Sequence, residues 1–128
     1  MKEVSALSIE NVIADCKTKL LGMREDLLNR LRTARLEVTA HDKMSGDEID
    51  QSVAQLSENH FMITQERARK QLMEVEFALA RIQKGVYGIC EETNEPIEPH
   101  RLLAIPYTRL SIEGAEIREA LGRKFTGY

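Results

Sequence analysis

The chain has 128 residues, of which 30% are charged, and its formal net charge is -3. This mildly acidic balance argues against a protein that binds nucleic acid through a generally basic surface. The two cysteines, Cys16 and Cys90, lie far apart in the sequence and do not suggest a disulfide framework, which favours a reducing compartment.

The N-terminal segment, MKEVSALSIENVIADCK, has acidic residues where a signal peptide would need an apolar run. No later apolar run approaches the roughly 20 residues that span a bilayer. We therefore expect a soluble cytoplasmic protein that does not contact a membrane.

The first half of the chain predicts one helix of about 30 residues, which would be about 45–50 Å long. No proline interrupts residues 1–84, and the only glycines there are Gly22 and Gly46. Apolar residues recur at steps of three and four in a heptad-like stripe: Ile9, Ile13, Cys16, Leu20, Met23, Leu27, Leu31, Ala34 and Val38.

A turn at Ser45 and Gly46 is predicted to end this stripe, and Ser45 with Glu48 fits a capping box that starts a second helix at about 47–84. Two long helices joined by a short turn predict an antiparallel hairpin whose tip lies near residues 43–50. The apolar stripe of the second helix comprises Ile49, Val53, Leu56, Ala68, Leu72, Val75, Leu79 and Ile82.

After the hairpin, the sequence predicts shorter elements. Gly85 caps the second helix, two extended pieces flank a turn at 92–95, and Pro99 opens a short helix that Pro106 stops. A last helix at about 108–124 carries an apolar face of Leu110, Ile117 and Leu121. We predict a mostly α protein: a long antiparallel helical hairpin (coiled coil) at 1–86, a small zinc-finger-like module at 87–114, and a C-terminal helix and tail at 115–128.

The module is called zinc-finger-like because Cys90, Thr93, Ser111 and Gly114 have the spacing C-x2-C-x17-C-x2-C. Structural zinc takes four ligands, and only one of these residues is a cysteine. Structural sites that combine one cysteine with histidine or carboxylate ligands are less common. We therefore predict a metal-free module in which the hydroxyls of Thr93 and Ser111 bind backbone groups. The other donors considered are Glu91, Glu92, His100 and Glu113.

Two acidic residues near the predicted tip, Asp47 and Asp50, allow two interpretations. They complement the positive end of the helix dipole, or they are carboxylates that a long rod carries into a narrow channel, near a bound metal or a positive wall. No nucleophile–base set and no glycine-rich phosphate loop accompanies them, so we do not expect an enzyme.

The tip, together with the segment ALARIQKGVYGICEETNEPIEPHRLLAIPYTRL, resembles the DksA/TraR family of bacterial transcription factors over about residues 9–118. The resemblance implies a monomer that binds RNA polymerase directly, without DNA. Its coiled coil would enter the secondary channel and destabilise open promoter complexes, often together with guanosine tetraphosphate. The family's tip motif is D-x-x-D-x-A. Asp47 and Asp50 match its two acids, and Ser52 stands where the family has alanine. This departure concerns how strongly the tip engages the polymerase, not where the tip is placed.

Two further departures qualify the resemblance. The four zinc positions are Cys90, Thr93, Ser111 and Gly114, so a zinc-independent variant without cofactor is expected. The family's basic alarmone contacts correspond here to Glu74, Ile105 and Ala115, and only Arg67 and Lys70 keep positive charge nearby. Because a tetraphosphate needs cationic partners, we predict a weak response to the alarmone.

Two alternative functions remain open. A generic coiled-coil adaptor would explain the hairpin but not the module or the tip acids. A transcript-cleavage factor also carries an acidic hairpin tip into the same channel, where adjacent carboxylates hold a second catalytic metal.

Overall fold

The computed structural model describes residues 8–44 and 51–126, and for 37–44 and 123–126 it describes the backbone alone. Four helices occur in these residues: α1 (Ile9–Met44), α2 (Gln51–Lys84), α3 (Pro99–Ala104) and α4 (Ile112–Thr126). The predicted fold class is confirmed, because α1 and α2 form a long helical hairpin that precedes a small module and a C-terminal helix.

Helix α1 has 36 residues and begins after Ser8. The Ser8 hydroxyl accepts a hydrogen bond from the Asn11 amide at 3.4 Å, so Ser8 caps the helix. The predicted apolar stripe is wrong at Ile9, which is the first helical residue and is 49% exposed. Val12 lies one turn before Cys16 and takes that place in the core. The buried residues of α1 are Val12, Cys16, Leu20, Leu27 and Ala34.

Helix α2 buries side chains only near its C-terminal end, at Val75 and Ala78. Every residue at 51–60 is exposed, including Val53 at 55% and Leu56 at 68%. The predicted stripe is therefore wrong at these two residues, and Ile49, with which it begins, lies outside the described residues. The predicted tip at 43–50 and the capping box of Ser45 and Glu48 lie outside the residues whose side chains are described.

The predicted cap at Gly85 is confirmed. Gly85 has a φ of 77°, which favours glycine, its amide bonds Ile82 O at 3.2 Å, and the Val86 amide bonds Arg81 O at 3.0 Å. This pair of bonds is a Schellman motif and ends α2. The two extended pieces that follow are reduced to one antiparallel bridge between Ile89 and Pro96.

Helix α3 begins at Pro99, as predicted, and helix α4 begins four residues later than predicted. The Ser111 hydroxyl accepts a hydrogen bond from the Gly114 amide at 3.0 Å, and this cap fixes the start of α4 at Ile112. The predicted apolar face of the last helix is largely uncovered, with Ile117 37% and Leu121 44% exposed.

Contacts group the chain into two units, Met1–Gly22 with Glu74–Tyr128, and Met23–Met73. The first unit contains most of the buried apolar side chains: Val12, Cys16, Leu20, Val75, Ala78, Tyr87, Cys90, Ile97 and Leu102. The second contains Leu27 and Ala34. The predicted boundaries at 86 and 114 stay a prediction. None of the helices in the described part of the chain has the length and apolar character that a membrane span requires.

Candidate functional site

The four positions with zinc-finger spacing come together in space. Cys90 is fully buried, and Ser111 is 7% exposed. A Cβ atom added to Gly114 would overlap the Cys90 sulfur and would lie 3.3 Å from the Ser111 hydroxyl. The Cys90 thiol therefore packs directly against the Gly114 backbone, where only glycine fits.

The two hydroxyls at these positions bond to backbone groups, which confirms the prediction for Thr93 and Ser111. Thr93 Oγ1 accepts a hydrogen bond from the Glu95 amide at 3.3 Å, and Ser111 Oγ accepts one from the Gly114 amide. Each hydroxyl thus stabilises its own turn.

The environment of Cys90 favours its ionised form. Burial alone would raise the pKa of the thiol, but hydrogen bonds from Ser111 and Thr93, from both side chains and backbones, outweigh burial and lower the pKa to about 6. Hydrogen-bond donors stabilise the thiolate form of this sulfur, as they do at other sites where the pKa of a cysteine is lowered. The cluster is a hydrogen-bonded thiolate pocket.

This donor set does not fit a structural zinc ion. Zinc prefers four ligands drawn from Cys, His and carboxylates, whereas the cluster offers one thiol, two hydroxyls that already bond the backbone, and one glycine. Within residues 8–44 and 51–126 no three His, Cys, Asp or Glu residues are arranged to hold a metal ion. Of the other donors considered, His100 and Glu113 are exposed.

The remaining two, Glu91 and Glu92, belong to a chain of ion pairs on the surface of the module. Arg118 of α4 contacts Glu92 at 3.0 Å and Glu91 at 3.6 Å, while Arg109 contacts Glu91 at 3.8 Å and Glu74 of α2 at 3.5 Å. The chain connects α2, the turn after Cys90 and α4. Each pair is partly exposed, so solvent screens the attraction and the pairs add little to stability.

Backbone carbonyls at 102–110 receive hydrogen bonds from side chains of the surrounding elements. Lys19 Nζ of α1 donates to Leu103 O at 3.0 Å, the Cys16 thiol to Leu102 O at 3.4 Å, and the Tyr87 hydroxyl to Pro106 O at 2.7 Å. The other two donors are Arg81, to the carbonyls of Tyr107 and Thr108, and Arg101, to Leu110 O. The bonds from Cys16, Lys19 and Arg81 fasten the module to α1 and α2, and those from Tyr87 and Arg101 lie within the module.

Sequence reasoning missed the roles of Tyr87, Lys19 and Glu98. The Glu98 carboxylate accepts a hydrogen bond from the Ile112 amide at 3.3 Å and so caps α4 from the start of α3. A signal existed for Tyr87, because a tyrosine buried within an apolar segment needs an acceptor for its hydroxyl. No sequence signal points to Lys19 or Glu98, since their partners are backbone groups distant in the chain.

The predicted alarmone positions have different surroundings. Glu74 forms the ion pair with Arg109, Ile105 lies at the C-terminal end of α3, and Ala115 lies in the first turn of α4. Arg67 and Lys70 are exposed on α2 and line a concavity of about 530 Å³ together with apolar side chains that include Phe61, Met62 and Ile63.

The predicted tip residues are only partly described. Asp47 and Asp50 lie outside the described residues, and Ser52 is exposed in the first turn of α2. Arg67 and Lys70 belong to the unit Met23–Met73, whereas Cys90, Ser111 and the other zinc-spaced positions belong to the other unit.

Comparisons with known proteins agree with this geometry. The sequence profile of the prokaryotic dksA/traR C4-type zinc finger matches residues 85–120. The RNA polymerase-binding transcription factor DksA of Caulobacter vibrioides is 33% identical over 103 residues, which cover 80% of this chain and 72% of that protein. The General stress protein 16O of Bacillus subtilis is 40% identical over 61 residues, which cover 47% of this chain and 37% of that protein.

A solved structure extends the similarity to the fold. The transcription factor DksA2 from Pseudomonas aeruginosa superimposes with a TM-score of 0.80 and 31% identity, covering 93% of this chain and 92% of that one. Both the hairpin and the module therefore have counterparts in a single known protein. The chain belongs to the DksA/TraR family.

Proposed function

We propose that this protein is a transcription regulator that binds RNA polymerase directly and modulates the stability of open complexes at initiation, without binding DNA. The observation that carries the proposal is the similarity to DksA2 over nearly the whole of both chains. The name of the Caulobacter relative, which states RNA polymerase binding, supports it. We expect the protein to act as a cytoplasmic monomer and not as an enzyme.

In this proposal the hairpin enters the secondary channel of the polymerase, with Asp47, Asp50 and Ser52 nearest the active site. The long helices α1 and α2 support this role, because helices of 36 and 34 residues give the hairpin its reach. The basic side chains of Arg67 and Lys70, beside exposed Met62 and Ile63, suit a partner surface with both acidic and apolar groups.

We also propose that the protein works without zinc. The support is the thiolate pocket, in which hydroxyls and a glycine replace three of the four expected thiols, and the hydrogen bonds that fasten the module to the hairpin. Loss of metal ligands would leave the module intact when zinc is scarce.

A weak response to guanosine tetraphosphate is also proposed. Glu74 brings negative charge to a position where a tetraphosphate would need a cation, and its ion pair neutralises part of the charge of Arg109. Arg67 and Lys70 are then the cations left for a residual contact on α2.

In vitro transcription with purified polymerase tests the function. The wild type should shorten open-complex lifetime, and Asp50→Asn should lose most of this effect. Glu58→Gln, which removes an exposed acid elsewhere on α2, should retain it. Adding guanosine tetraphosphate should change the wild-type effect less than twofold.

A wild type that leaves open complexes unchanged would contradict the proposal, as would equal activity of Asp50→Asn and Glu58→Gln. A binding assay and a cleavage assay with the same polymerase separate the two alternatives. An adaptor would not bind polymerase, and a cleavage factor would shorten the transcript of a backtracked complex in the presence of a divalent metal.

A further inference from the structure

Gly22 lies in the interior of the long helix α1, and no close packing accounts for a glycine there. The residue is exposed, and a Cβ atom added to it would meet no other atom within 4 Å. Glycine in a helix interior disfavours the helix relative to alanine by about fivefold in equilibrium constant, which corresponds to about 1 kcal/mol. Gly22 thus lowers the stability of the helix, although no neighbouring atom approaches closely enough to require a glycine.

A second local feature lies one turn earlier. The Thr18 hydroxyl donates a hydrogen bond to the Ala14 carbonyl at 3.2 Å, four residues back along α1. A hydroxyl that shares such a carbonyl with the helical amide weakens and bends the helix slightly. Ala14, Thr18 and Gly22 follow each other at intervals of four, so both features act on the same face of α1.

The face of α1 that carries these residues is solvent-exposed. Ala14, Thr18 and Gly22 are all exposed, whereas the buried stripe of α1 runs along another face, through Cys16, Leu20 and Leu27 with Met23 half-buried between them. Packing at these three positions therefore does not offset the lower helix stability there.

We propose that Gly22, together with Thr18, is a built-in weak point of α1 at which the helix opens or bends more readily than in its neighbouring turns. The proposal rests on the proposed function for its use: a helix that opens locally here adjusts more readily when the protein binds polymerase. The weak point itself is a property of the free protein.

Amide hydrogen exchange of the full chain tests the weak point directly. In the wild type, amides at 22–26 should exchange faster than those at 13–17. Gly22→Ala should slow exchange at 22–26 about fivefold. Gly122→Ala is the matched control, because Gly122 is also an exposed helical glycine with open space around it, on α4, and this variant should leave 22–26 unchanged. Thr18→Ala should slow the same amides less.

Equal exchange at 13–17 and 22–26 in the wild type, or no slowing in Gly22→Ala, would overturn the weak point. The use of the weak point has a separate test in open-complex lifetimes, where Gly22→Ala should reduce the effect at least twofold while Gly122→Ala keeps it. Slower exchange with an unchanged transcription effect would overturn that use. If the wild type itself has no effect on polymerase, the proposed function fails, and hydrogen exchange still decides the weak point.

Discussion

The Cys90 thiol is balanced between burial, which favours its neutral form, and the hydrogen bonds of Ser111 and Thr93, which favour its anion and lower the pKa to about 6. In an unfolded chain a cysteine has a pKa of about 8.5. Between these two values the folded protein binds fewer protons than the unfolded chain at this position. The free energy of unfolding should therefore rise as pH rises from about 6 to about 8.5, and this contribution should be lost as pH falls through 6.

Urea unfolding at a series of pH values measures this dependence, and the thiolate absorbance near 240 nm reports the titration directly. Cys90→Ser is the control, because it keeps a small polar side chain but removes the titration. The difference in absorbance between wild type and variant should have its midpoint near pH 6. A midpoint near 8.5 would contradict the hydrogen-bonded thiolate.

Gly114 is the residue for which the pocket leaves no alternative side chain. Gly114→Ala forces a methyl group into the space of the Cys90 sulfur, and the fully buried thiol has little room to move. We expect the free energy of unfolding to fall by about 1–3 kcal/mol, as for other overpacked cores. Gly122→Ala should instead be neutral or stabilising by up to about 1 kcal/mol. Equal effects of the two variants in urea unfolding would contradict this account.

At the scale of elements, the segment 102–110 depends on side chains of α1, α2 and the chain after α2 to satisfy its carbonyls. The shortest of these hydrogen bonds runs from the Tyr87 hydroxyl to Pro106 O, at 2.7 Å. Burial raises the pKa of Tyr87, so the hydroxyl remains protonated and can donate.

Tyr87→Phe should therefore lower the free energy of unfolding by about 1–3 kcal/mol, because it leaves a buried carbonyl without its donor. Tyr107→Phe is a suitable control: among the described residues the Tyr107 hydroxyl makes no hydrogen bond, and its loss should change stability by less than about 0.5 kcal/mol. Thermal unfolding of both variants compares them, and equal melting temperatures would show that the bond to Pro106 contributes little.

The elements themselves were largely predictable, because periodicity and caps are local signals. The stripe through Cys16, Leu20 and Leu27 predicted α1, and Gly85 predicted the end of α2. Val53 misled the prediction, since an apolar residue at helical spacing does not reveal whether another surface covers it.

The candidate site was predictable as a set of positions but not as a structure. Spacing alone grouped Cys90 with Ser111, whereas the direct contact of the thiol with the Gly114 backbone depends on how the module closes. Spacing likewise says nothing of Lys19, whose partner Leu103 is 84 residues away. Long-range bonds between side chain and backbone have no sequence pattern.

At the scale of the whole molecule, buried apolar side chains are unevenly distributed. The unit Met1–Gly22 with Glu74–Tyr128 holds the fully buried residues, while the unit Met23–Met73 buries only Leu27 and Ala34 among its described side chains. The second unit should therefore open at lower free energy than the first. The loose packing of Met23–Met73 suits a protein in which these residues gain contacts only when it binds a partner.

The firm packing of the module also predicts that the protein needs no metal. Chelator should leave the melting temperature and the effect on polymerase unchanged, and metal analysis should find far less than one zinc per chain, since the cluster at Cys90 has a single thiol. A zinc-finger peptide that is unfolded without its metal is the positive control for the chelator. Stoichiometric zinc in the wild type, or its unfolding by chelator, would contradict the metal-free module.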